Sequence, residues 1–166
     1  MNKKGIVVFS SIVAFFLLSL IPCHVLRIET PGKHRTVFVQ IIRPDYKFST
    51  TYIHSVELCP VREYFIIDQD FRIVLYETTF SSCNTGLPTT LSGDEKLFIE
   101  DDQICISNMH RVLRELDLWV NKKYDNILTL EDGETLELPS LAGDVLLRIT
   151  VEKLPLASLL YLKAKI

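Results

Sequence analysis

The sequence predicts an all-β domain, an antiparallel sandwich or open barrel of about eight to ten short strands, behind one N-terminal transmembrane helix. The helix is predicted from an uncharged run of 22 residues, 5–26, which follows Lys3 and Lys4. The strands are predicted from short segments rich in β-branched and aromatic residues, which alternate with Pro, Gly, Asn and Asp turns.

The N-terminal run has the composition of a signal-anchor helix. Its apolar core, Ile6 to Ile21, would be about 24 Å long at the helical rise, and flanking residues would complete a span of about 30 Å. A cleaved signal peptide is the alternative, although no pair of small residues marks a cleavage point near Pro22. Pro22 also argues against a lipoprotein site at Cys23.

These features divide the chain into three parts. We expect a cytoplasmic tail at 1–4, a signal-anchor helix at 5–26 and an extracytoplasmic β-domain at 27–166, in the cytoplasmic membrane of a bacterium. The whole chain has 18 basic and 21 acidic residues, a net charge of -3. Such a balance argues against nucleic-acid binding, which needs a clustered basic face.

The predicted strands follow one another beyond Gly32. In the second, alternation places Tyr52 and His54 on one face, with Ile53 and Ser55 on the other. The predicted strands are Thr36–Arg43, Tyr46–Val56, Val61–Ile67, Phe71–Phe80, Lys96–Glu100, Gln103–Ser107, Ile127–Leu130, Thr135–Leu138 and Val145–Val151. An odd loop around Asp132-Gly133 would pair Leu128 with Leu138 and Leu130 with Leu136.

Two segments allow more than one interpretation. His110–Val120 has apolar residues at helical spacing, but Leu116, Leu118 and Val120 also alternate, and this favours a strand from about Arg114. The C-terminal segment 154–162 is too short to span a membrane and is predicted to pack on the domain, with interfacial contact as the alternative.

The segment around His54 resembles a known family. An HSVE run (His54 to Glu57) precedes a P-V-x-E element ending at Glu63, a hairpin and a Gly86-Leu87-Pro88 turn. This order is similar to the family catalogued as domain of unknown function 1850, over about Phe48 to Pro88. The family's turn usually reads G-x-G-L-P, and here Asn84 replaces the first glycine. The resemblance implies a small extracytoplasmic protein with an accessory role beside a TRAP-type transporter whose solute receptor is of the TAXI class.

The hairpin should bring two glutamates together. A three-residue loop at Asp68–Asp70 would pair Phe65 with Ile73 and put Glu63 and Glu77 on one apolar face as diagonal neighbours, about 7–8 Å apart. Carboxylates on an apolar face need a partner, because desolvating a charge costs several kcal/mol. We therefore predict one polar cluster for ligand binding or structural organisation, comprising His54, Ser55, Glu57, Glu63, Glu77, Asn84 and Gly86.

Other chemistry has weaker support. Adjacent strand residues point to opposite faces, so His54 and Ser55 would not form a nucleophile–base pair, and we expect no enzymatic activity and no cofactor. Glu57, Glu63 and Glu77 could join His54 as metal ligands, but their spacing matches no metal motif. The acidic stretches Asp94-Glu95 and Glu100-Asp101-Asp102 are interpreted as solvated turns without a site.

Two cysteines are predicted to lie at one end of the hairpin. Cys59 and Cys83 fall in neighbouring loops, and an extracytoplasmic location would let them oxidise. We predict a Cys59–Cys83 disulfide, which would tie the HSVE run to the GLP turn.

The predicted function is a membrane-anchored accessory or binding module of a TRAP-type (TAXI) solute uptake system, with its permease or receptor as partner. The alternatives are an independent ligand- or metal-binding envelope protein and, third, a hydrolase.

Overall fold

A computed structural model describes residues 19–56, 58–81, 91–100 and 103–166. The described residues form twelve strands, a 3₁₀ turn at Lys122–Tyr124 and two helices, α1 (Leu138–Ala142) and α2 (Leu156–Lys163). The strands are β1 (Pro22–Thr30), β2 (Arg35–Ile41), β3 (Lys47–Ile53), β4 (Pro60–Ile67), β5 (Ile73–Phe80), β6 (Lys96–Glu100), β7 (Gln103–Ser107), β8 (Arg111–Leu113), β9 (Leu116–Val120), β10 (Ile127–Leu130), β11 (Thr135–Glu137) and β12 (Val145–Pro155).

The strands build two antiparallel sheets. The smaller sheet has the order β2-β1-β12-β9, and the larger has the order β11-β10-β3-β4-β5-β7-β6, with β8 also paired to β5. One buried cluster joins their facing sides, with Ile28 and Ile149 from the smaller sheet and Phe65 and Ile106 from the larger. Apolar residues that alternate along each strand thus fill the space between two sheets, so of the two predicted architectures the chain adopts the sandwich.

The N-terminal boundary of the domain differs from the prediction. Residues 22–26, assigned to the transmembrane helix, form the first half of β1, where Val25 and Leu26 have no exposed surface. β1 pairs with β2 on one side and β12 on the other, so it is a central strand whose apolar composition reflects burial on both faces. Of the predicted tail and span, residues 1–18 lie outside the described residues. In the part that is described, no helix has the length and apolar character needed to cross a membrane.

Helix α2 covers the outer face of the smaller sheet. Its Leu159 is buried against Val25 and Val39. The backbone N–H of Leu156 donates to the carbonyl of Ile21 at 2.9 Å, which ties the start of the helix to the chain just before β1. The C-terminal segment is therefore a packing element, as predicted.

Both predicted hairpin registers keep the right side-chain parity but are displaced by two residues. Phe65 pairs with Leu75, not Ile73, because the carboxylate of Asp68 accepts from the backbone N–H groups of Asp70 and Arg72 and closes the loop further along. In the second hairpin, Leu128 pairs with Leu136 and not with Leu138, which is buried in α1.

The contested segment 110–120 contains strands. β8 and β9 are separated by Arg114 and Glu115, and β9 adds to the edge of the smaller sheet beside β12. The alternation of Leu116, Leu118 and Val120 therefore identified its conformation correctly.

Candidate functional site

A pocket of about 400 Å³ opens between the two sheets, at the end where β3 turns into β4. Its volume is in the range of small-molecule sites. β3 and β4 form one wall, and β9 with the 3₁₀ turn forms the other. The lining residues are Tyr52, Ile53, His54, Ser55, Glu63, Leu116, Asp117, Leu118, Trp119, Tyr124 and Asn126.

The loop between β3 and β4 places His54 and Ser55, the first two residues of the HSVE run, at the mouth of this pocket. The N–H of His54 donates to the carbonyl of Cys59, and the N–H of Leu58 donates to the carbonyl of His54, both at 2.9 Å. Leu58 turns the chain with a positive φ of 51°. His54 is half-buried and Ser55 is exposed, so both stand at the pocket's edge.

A β-bulge in β5 separates the two glutamates that the sequence placed together. Phe65 pairs with Leu75, but the next pair is Tyr64 with Glu77, so Tyr76 is an extra residue in β5. The bulge reverses the alternation, and Glu63 then faces Thr78 while Glu77 lies on the opposite face of the sheet. The predicted shared face of Glu63 and Glu77 is therefore wrong, because it assumed a continuous ladder.

Glu63 is the carboxylate of the inner face. It lies between two buried threonines, Thr50 on β3 and Thr78 on β5, and the Thr50 hydroxyl donates to Glu63 Oε2 over a long 3.5 Å. Burial raises the pKa of Glu63, and the Thr50 hydrogen bond offsets this only in part. The pKa of Tyr52 is also raised, first by burial and then by the charge of Glu63. The pocket wall therefore holds an acid whose ionised form is poorly solvated.

The opposite wall is formed by the edge strand β9 and includes a neutralised acid. Trp119 on β9 is 71% exposed, although it belongs to a sheet strand. Asp117 is paired with Arg148 of β12 through two hydrogen bonds of 2.7 Å, and these lower the pKa of Asp117. This acid is therefore already partnered.

A short loop after β9 fixes the last part of the pocket. Asn121 caps the 3₁₀ turn, accepting from the N–H of Lys123 at 2.9 Å. The side chain of Asn126, itself buried, accepts from the N–H of Asn121 at 3.0 Å. These contacts hold Tyr124 and Asn126 at the pocket.

The structure brings together part of the predicted cluster. His54, Ser55 and Glu63 share the pocket, and Glu77 does not line it. Glu57, Asn84 and Gly86 lie outside the described residues, and so does Cys83, which leaves the predicted disulfide with the buried Cys59 a prediction. Within the described ranges, no three His, Cys, Asp or Glu side chains are grouped as metal ligands.

Sequence reasoning missed the other half of the pocket. Trp119, Tyr124 and Asn126 come from a different sheet and the loop that follows it, so strand periodicity gave no link to His54. One signal was available in the sequence. Trp119 alternates with Leu118 and Val120 along β9, so its side chain lies on the other face of the strand.

One acidic turn also differs from expectation. The Asp94-Glu95 stretch was interpreted as solvated, but Glu95 is buried and forms a 2.9 Å ion pair with Arg111. Its carboxylate also accepts from the N–H of Ser92, the largest contribution to its lowered pKa. This acid closes a turn and contacts no residue of the pocket.

Residues 48–138 match the family described as domain of unknown function (DUF1850). The chain belongs to this family. The match covers more than half of the chain and runs from β3 to the first residue of α1, so it includes every described residue that lines the pocket. No curated protein and no solved structure match the chain.

Glu63 should make folding stability depend on pH in a way that Glu77 does not. An acid whose pKa is raised by folding binds protons more tightly in the folded state, so stability falls as pH rises above the unfolded pKa. We expect Glu63→Gln to unfold at higher urea than the wild type near pH 7.5, with the gain shrinking towards pH 4.5. Each unit of pKa difference corresponds to about 1.4 kcal/mol.

Glu77→Gln, on the outer face, is the matched control and should leave the urea midpoint within about 0.5 kcal/mol of the wild type at both pH values. A Glu63→Gln variant that is destabilised equally at both pH values would contradict this account of Glu63.

Proposed function

We propose that this protein is a solute-binding module and that the pocket between β3, β4 and β9 is its binding site. The observation that carries the proposal is Glu63, a poorly solvated carboxylate on the wall of a 400 Å³ pocket. Keeping an ionisable group in such a place costs folding stability, and functional sites are where proteins tolerate that cost. The aromatic side chains of Tyr52, Trp119 and Tyr124 supply the apolar contact area that small-molecule sites usually provide.

We further propose that the module is tethered outside the bacterial cytoplasmic membrane as an accessory to a TRAP-type uptake system with a TAXI-class receptor. The uncharged residues 5–21, which precede β1, support a tether because most of them are apolar. The transporter partner rests on what the DUF1850 resemblance implies. The alternative, an independent envelope protein, would use the same pocket.

The chain offers its own reporter for the pocket, because Trp119 is its single tryptophan. We expect that at least one class of solute, among amino acids, dicarboxylates, sugars and amines, shifts the Trp119 emission of the detergent-solubilised full chain in a saturable way. Titration by fluorescence, repeated by calorimetry, measures the affinity. A pocket-wall variant, Glu63→Gln, should change that affinity, and Glu77→Gln should not.

If no solute of the four classes changes Trp119 emission up to about 10 mM, a concentration at which even weak sites fill, the binding proposal is wrong.

The uptake partner requires a separate experiment. We expect the tagged full chain, crosslinked in its native membranes and solubilised, to carry with it a TRAP permease or a TAXI-class receptor identified by mass spectrometry. An unrelated tagged single-span protein from the same membranes is the control. Recovery of the chain from membranes without either partner, beside a positive solute titration, would favour the independent envelope protein.

A further inference from the structure

We propose that the ligand of this pocket is a small organic cation, whose ammonium group is held by the Glu63 carboxylate and the surrounding aromatic rings. The inference rests on the proposed function and names the chemical class of its solute. It is drawn from the charges and the ring systems on the pocket wall.

The charges on the wall favour a cation. No lysine or arginine is among the described residues that line the pocket, whereas two carboxylates, Glu63 and Asp117, are. Arg148 already neutralises Asp117. Glu63 forms no ion pair in the described part of the chain, and its hydrogen-bond partner there is the Thr50 hydroxyl at 3.5 Å. A ligand that brings a positive charge would supply the partner that a poorly solvated carboxylate needs.

The rings on the wall favour the same ligand. Tyr52 and Tyr124 line the pocket together with Glu63. Trp119 lines it from the edge strand β9, where its side chain lies on the face opposite to the buried Leu118 and Val120. Aromatic faces attract ammonium groups, with tryptophan the strongest, and a carboxylate with several rings is the usual arrangement for alkylammonium recognition. An anionic solute would meet the Glu63 carboxylate, and no lysine or arginine is among the described lining residues to offset it.

Cation binding should be linked to loss of a proton. Glu63 accepts the cation as a carboxylate, so binding weakens as the pH falls through the raised pKa of Glu63. The titratable or charged groups around Glu63 from the neighbouring elements are Tyr52, His54, Cys59, Asp117 and Tyr124.

Two pairs of probes isolate the charge. Choline and 3,3-dimethylbutan-1-ol have the same shape, but only choline carries a positive charge. Butylammonium and butan-1-ol are similar in size, and only butylammonium is charged. We expect Trp119 fluorescence of the full chain to report that at least one cation binds about tenfold or more tightly than its neutral counterpart near pH 7.5. Glu63→Gln should reduce this preference about tenfold, and Glu77→Gln should leave it unchanged.

Choline keeps its charge at every pH, so its pH profile reports the protein alone. If choline is the cation bound, its affinity should fall as the pH is lowered from about 7.5 through the raised pKa of Glu63, and Glu63→Gln should flatten most of that fall. For butylammonium the same profile applies, because its amine stays protonated over this range.

Three results would overturn the inference. They are the absence of binding by both cations up to about 10 mM, neutral counterparts that bind as tightly as the cations, and a preference that Glu63→Gln leaves intact. If a different solute class still shifts Trp119 emission, the proposed solute-binding function holds and only the cationic ligand is wrong. If no solute shifts it, both proposals are wrong.

Discussion

Between Phe65 and Tyr64 the ladder of β4 and β5 gains one residue on the β5 side, Tyr76. If the ladder were continuous, Glu63 would stand directly opposite Glu77, and two carboxylates would face the interior side by side. The bulge sends Glu77 to the outer face and gives Glu63 two threonines as neighbours instead. The separation of Glu63 from Glu77, and with it the place of Glu63 as the one glutamate among the described lining residues, depends on this step.

The two-sheet architecture places the other half of the site. β9 pairs with β12 at the edge of the smaller sheet, and this brings Trp119 and the loop with Asn126 across from β3 and β4. β12 in turn pairs with β1, which is buried in the centre of that sheet. A strand at the very start of the domain therefore supports a pocket wall that lies about a hundred residues later in the chain.

Much of the fold was predictable because its strands alternate. β6, β7 and β10 have the predicted bounds, and both hairpins keep the predicted parity, since the odd spacing of apolar residues about each loop admits only that choice. β1 was not predictable in the same way. A central strand buried on both faces and the end of an apolar helix have the same composition, and only the hydrogen bonds to β2 and β12 distinguish them.

The candidate site was predictable on one wall alone. His54 and Tyr52 share a strand face in the sequence, and the need of an inward Glu63 for a partner followed from its apolar neighbours. The face on which Glu77 lies depends on the bulge at Tyr76, and no glycine or proline marks that bulge in the sequence. Trp119 and Tyr124 lie opposite β3 and β4 because the two sheets pack together. Such tertiary contacts leave no spacing pattern in the sequence.

The register of β4 and β5 can be measured directly. In isotope-labelled protein, backbone nuclear Overhauser contacts across the two strands should join Glu63 to Thr78 and Tyr64 to Glu77, with Tyr76 outside the ladder. Contacts that join Glu63 to Glu77 and Tyr64 to Tyr76 would show a continuous ladder, and the account of an inward Glu63 separated from Glu77 would be contradicted.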